Sequence, residues 1–185
     1  MGIGWVQVGD NQILHKFSAQ IQLWLSFYKA KLVSVLLAVS TCPRNSQIQI
    51  YTDSLSIILK YNKLTKKLLI LSKISSLQYW PIWVTLLNYI KSFNLSIEFH
   101  KVQAHSDNIY NDNADYLAKH HLFSSFLEFN YTNIYNPYHI LQFESFPEEQ
   151  STWKLIKNIC NSHIIALWSS QRRMQNISST FQYID

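Results

Sequence analysis

The sequence predicts an α/β domain followed by an appended segment, and three observations carry that prediction. Strand-like runs and helix-like runs alternate along the first two thirds of the chain, in the order β-β-α-β-α-α-β-α. Hydrophobic residues make up 48% of 185 and charged residues only 15%, so there is enough apolar side chain for a buried core. Beyond His121 the periodicity gives way to aromatic and Asn-rich text broken by Pro137 and Pro147.

The elements follow in order. Ile3 to Val8 and Gln12 to Gln22 read as the two strands of a hairpin, with Gly9-Asp10-Asn11 as the turn. Leu23 to Val39 is apolar on nearly every side, as a buried helix would be, and Pro43 ends it. Ser46 to Tyr51 alternates Gln with Ile and then Tyr, the period of a strand, and Thr52-Asp53-Ser54 opens a helix through Tyr61. Pro81 suits the first turn of a further helix running to about Phe93. Leu95 to Val102 supplies another strand, Ile97 and Phe99 alternating with Glu98 and His100, and a helix spans about Tyr110 to His121. Trp153 to Trp168 regains helical spacing inside the appended segment. The expected division is a domain over 1–121 and an extension over 122–185.

Composition narrows the function classes. The net charge of +5 suits a polyanionic partner without requiring one. Lys60, Lys63, Lys66, Lys67 and Lys73 share their segment with Leu64, Leu68, Leu69, Ile70 and Leu71. Such a segment either grips phosphate or is a solvated helix face over an apolar patch. Cys42 and Cys160 stand far apart and outside any C-x-x-C spacing, which indicates neither a disulfide framework nor a thiolate zinc site. No run approaches the roughly 20 apolar residues of a membrane span, and the first residues lack the pattern of a signal peptide. The expected location is intracellular, in cytoplasm or nucleus. His15, His100, His120, His121, His139 and His163 show no metal spacing and are expected to be structural.

Three local patterns carry the chemistry. Tyr51-Thr52-Asp53-Ser54 ends a strand, Val102-Gln103-Ala104-His105-Ser106 follows a later strand, and Asn111-Asp112-Asn113-Ala114-Asp115-Tyr116-Leu117-Ala118-Lys119 lies on the last helix of the domain. Taken alone, Asp53 also fits the N-cap of the following helix, and Asp115 a surface acid. In this order and spacing the set resembles the type-1 ribonuclease H domain of cellular hybrid nucleases and retroelement reverse transcriptases. The resemblance covers roughly residues 2 to 121.

The resemblance implies a mixed sheet with helices on both faces and hydrolysis of the RNA strand of an RNA–DNA hybrid. In such a site two Mg²⁺ ions are held by clustered carboxylates, because Mg²⁺ is a hard cation that binds oxygen. Carried over, Asp53 matches the strand-end aspartate, Asp115 the aspartate of the last helix, and His105 the mobile histidine. The family's first-helix glutamate lies in an Ala-Glu-Leu-like context. Here the text is Ala30-Lys31-Leu32, which puts Lys31 at that position. The family's first aspartate, on its central first strand, would fall before Met1, so the sheet is expected without that strand. The expected outcome is an impaired catalyst with Mg²⁺ bound weakly or not at all at Asp53 and Asp115. Its expected partner is an RNA–DNA hybrid or duplex, with a non-catalytic binding domain or a structural retroelement remnant as the alternatives.

Overall fold

The computed structural model describes residues 1–21, 26–66, 77–103 and 108–120, with further short elements at 126–127, 142–143, 146–147 and 152–169. β1 (Gly2–Gly9) and β2 (Gln12–Ile21) form the expected hairpin, antiparallel from Gly2↔Gln20 to Gly9↔Gln12 with an irregularity between Gln7 and Val8. Asp10 and Asn11 both take left-handed backbone, φ 51° and 59°. Two consecutive positive φ values twist a two-residue turn to match its strands, and Asp and Asn accept them at low cost.

α1 (Phe27–Ser40) begins where the Ser26 hydroxyl accepts the Lys29 backbone N–H at 3.1 Å. The expected start at Leu23 falls on residues 22–25, outside the described residues. Leu32, Val33 and Val39 are wholly buried, and Ala30, Val35 and Leu36 nearly so, so this helix forms the centre of the core. β3 (Gln47–Thr52) and β4 (Ser96–Lys101) pair in parallel from Gln47↔Ser96 to Thr52↔Lys101. A parallel pair needs a long crossover. It contains α2 (Leu55–Lys66) and α3 (Trp80–Ser92), with Pro81 in the first turn of α3. Strand alternation sends Ile48, Ile50, Ile97 and Phe99 against the core, where Trp83, Leu86 and Ile57 are buried. Gln47, Gln49, Tyr51, Ser96, Glu98 and His100 share the opposite face, and Tyr51 stacks on His100 at 4.8 Å.

α4 (Ile109–Lys119) crosses the hairpin, with the Ser18 hydroxyl donating to the Leu117 carbonyl at 2.8 Å. A Cβ on Gly4 would lie 2.6 Å from the Ala114 carbonyl oxygen, so the helix seats only against a bare backbone. The chain is thus mixed α/β with flanking helices, as the sequence predicts. The sheet falls into separate ladders: β1–β2 extended by a short parallel β5 (Phe126–Leu127), and β3–β4. Among the described residues no strand joins β1 to β3. The residues beyond contribute a small antiparallel pair, β6 (Gln142–Phe143) with β7 (Phe146–Pro147), and α5 (Thr152–Ser169). Among the described residues no helix is long and apolar enough to cross a membrane.

Candidate functional site

Asp53 stands where β3 hands over to α2. The Thr52 hydroxyl accepts the Ser54 backbone N–H at 3.2 Å, and the Ser54 carbonyl accepts the N–H groups of Ile57 and Ile58. Those bonds start the helix without the Asp53 carboxylate, which is therefore free for another partner. That partner is Lys31, whose Nζ donates to Oδ1 at 2.6 Å and Oδ2 at 2.5 Å. Lys31 lies on α1, and its aliphatic stem runs out from a helix otherwise buried at Ala30, Leu32 and Val33. The Asp53 side chain is 14% exposed and that of Lys31 37%, so the pair is partly withdrawn from water. Both carboxylate oxygens are satisfied by one charge-assisted contact.

Asp115 sits half-buried on α4. That helix is fixed at its start by the Asn108 side chain, which accepts the N–H groups of Tyr110 and Asn111 at 3.1 Å each. The Tyr110 hydroxyl donates to the Asn11 carbonyl at 2.9 Å, tying the helix to the hairpin turn. Among the described residues no hydrogen bond or ion pair joins Asp115 to Asp53 or Lys31. The geometry thus brings Lys31 and Asp53 into direct contact.

His105 lies outside the described residues, as do Lys67 and Lys73. On α2 the buried stripe is Ile57, Ile58, Tyr61 and Leu64; Lys63 and Lys66 are exposed and Lys60 half-buried. Lys63 and Lys66 therefore lie on the side of α2 away from its buried stripe. Two features escaped sequence reasoning. Gly4 sets the seat of α4, and its signal was a glycine inside a strand run. Asn108 caps α4 immediately before a helical period, a signal of the usual kind.

The layering is that of a mixed α/β domain, with one aspartate at a strand end and another on the helix that crosses the hairpin. Residues 2–123 match the family model for RNase H, and the chain belongs to that family. A comparison with curated proteins returns no match. At family level the activity is binding and hydrolysis of RNA–DNA hybrids, generally with Mg²⁺. Among the described residues the donor set does not fit that metal. Mg²⁺ takes oxygen ligands in near-octahedral geometry, whereas both Asp53 oxygens hold the Lys31 ammonium. Among the described residues no three His, Cys, Asp or Glu side chains gather into a metal-binding group.

Proposed function

We propose that the chain is a nucleic-acid-binding RNase H domain of the retroelement type that holds hybrid or duplex and has lost most of its power to cleave. The observation that carries this reading is the Lys31–Asp53 contact. An ammonium has donors and no lone pair, so at the family's glutamate position it offers nothing to a divalent cation and repels it. It also occupies the one strand-end carboxylate that the resemblance assigns to the metal. Binding does not need that carboxylate. Lys60, Lys63 and Lys66 on α2, with Lys67 and Lys73 beyond it, supply charge for phosphate contacts that release counterions. Asp115 and His105 are the remaining family residues, retained without the metal they would serve. The domain acts inside the cell over residues 1–121, and residues 122–185 form a C-terminal extension whose β5 adds to the edge of the hairpin.

The test is cleavage of an end-labelled RNA–DNA hybrid in Mg²⁺ or Mn²⁺, alongside binding of the same hybrid. The expected result is salt-sensitive binding with at most trace cleavage. Turnover that Asp53→Asn abolishes would overturn the reading.

A further inference from the structure

One aromatic ring stands on the outer face of the β3–β4 ladder with a side to spare. Tyr51 and His100 are direct neighbours in the register, and their rings stack at 4.8 Å with 20° between the planes. Side chains leave a strand roughly perpendicular to the sheet, so the two rings stand upright and each turns one face to the other. The Tyr51 hydroxyl donates to Gln49 Oε1 at 3.1 Å, which holds the ring in that orientation. Tyr51 is nevertheless 60% exposed, so the ring face turned away from His100 is open to solvent. The other ionisable groups on this side of the ladder are His100 and Glu98, with His100 Nε2 lying 3.7 Å from Glu98 Oε2. The face therefore has no net positive charge to offer a phosphate; what it offers is a flat ring, fixed in place, with one side bare.

We propose that Tyr51 stacks an unpaired nucleobase on that bare side, extending the His100–Tyr51 pair to three rings, so that the domain takes single-stranded nucleic acid beside the Asp53 end of the ladder. The inference rests on the nucleic-acid reading above and adds to it a base contact that the lysines of α2 do not supply. The chemistry of the ring selects the occupant. Every nucleobase has a π-face, and stacking on an aromatic side chain requires no particular sequence. A base inside a duplex has both faces covered by its neighbours, so only an unpaired or splayed base can lie against Tyr51. Its place in the chain fits as well. Asp53 follows Tyr51 by two residues, at most about 7 Å of chain, so the ring stands next to the strand end at which the proposed function sets the polynucleotide. Because the contact is ring on ring, its share of the affinity does not depend on counterion release, unlike that of the lysines.

The experiment titrates the full chain into a short labelled single-stranded oligonucleotide of mixed sequence, and into an abasic strand of the same length and charge. Tyr51→Ala should weaken binding of the intact strand by about 5- to 150-fold, the range that follows from losing one base–aromatic stack. It should leave the abasic strand, the salt slope and the melting temperature as they are in the parent. Tyr51→Phe keeps the ring and should bind as the parent does. Unchanged affinity of Tyr51→Ala for the intact strand, or an equal loss on the abasic strand, would overturn the proposal. A parent chain that binds the hybrid and the abasic strand in a salt-sensitive way but gains nothing from the bases would defeat the stacking alone. A parent that binds none of the three would defeat the nucleic-acid reading with it.

Discussion

Lys31 does at one position what a bound cation does elsewhere: its ammonium sits against both oxygens of a carboxylate that is mostly withdrawn from water. Removing it strands that carboxylate. Lys31→Ala should cost about 1–3 kcal/mol, the penalty for a buried acceptor left without its partner. In a chain of this length that lowers Tm by roughly 2–10 °C, checked by thermal melting. Lys31→Glu is the sharper variant, because it sets a second carboxylate beside the first. It should melt lower in chelator than the parent and regain stability in millimolar Mg²⁺, as a ligand confined to the native state must provide. The parent should be indifferent to the same addition. A strong Mg²⁺-dependent rise in the parent, or none in Lys31→Glu, would remove the counter-ion account.

Among the elements, the seating of α4 has the least tolerance. In Gly4→Ala the new methyl would stand 2.6 Å from the Ala114 carbonyl oxygen and 2.8 Å from the Ala118 nitrogen, both backbone atoms that cannot swing aside. Lifting the helix should cost about 1–3 kcal/mol, measured by denaturant unfolding, and would displace Asp115 along with it. α2 makes the opposite case, since Lys63 and Lys66 are exposed. Lys63→Gln with Lys66→Gln should leave the melting temperature unchanged. It should weaken hybrid binding and flatten the dependence of log K on log salt by about 0.9 for each phosphate that is no longer neutralised. An unaltered slope would make that face simple solvation. The elements themselves were legible because each has its own local cause: alternation in Gln47–Thr52, a proline opening α3, paired left-handed residues in the hairpin turn. Their limits shifted by a few residues at most, as with the helix expected to end at Tyr61 that continues to Lys66. The continuation is carried by Leu64 packing into a core assembled from distant parts of the chain, which no local pattern records.

For the whole molecule, burial of phenols links stability to alkaline pH. Desolvation raises the ionisation of Tyr28 and of Tyr61 above the ordinary 10.0, with the Trp83 indole opposing the shift at Tyr28. The unfolded chain gives up these protons first, so as pH climbs past about 10 the folded state binds more protons than the unfolded one and loses stability. Their contribution is intact below the unfolded value and declines as pH rises toward the folded values. Denaturant melts at about pH 9 and about pH 11 should show that loss, and Tyr61→Phe should reduce it. The pairing at the candidate site was partly legible at this scale. Lys31 and Asp53 are named by motif and position, and their contact follows once α1 and the inner face of β3 join one core. Asp115 resembles the family residue equally well in text, yet where its helix stands depends on how α4 seats over Gly4, which its motif does not record.

The bonds that seat α4 also set a timetable. Ser18 to Leu117 and Tyr110 to Asn11 each join residues 99 positions apart. Contacts of such separation form late, because the loop between them must close before they contribute anything. A ribosome adding about 5–20 residues per second finishes the hairpin and then takes roughly 5–20 s to deliver the helix that covers it. Throughout that interval the Gly4 and Ser18 face of the newborn hairpin waits bare, and its protection in the cell falls to whatever meets the nascent chain.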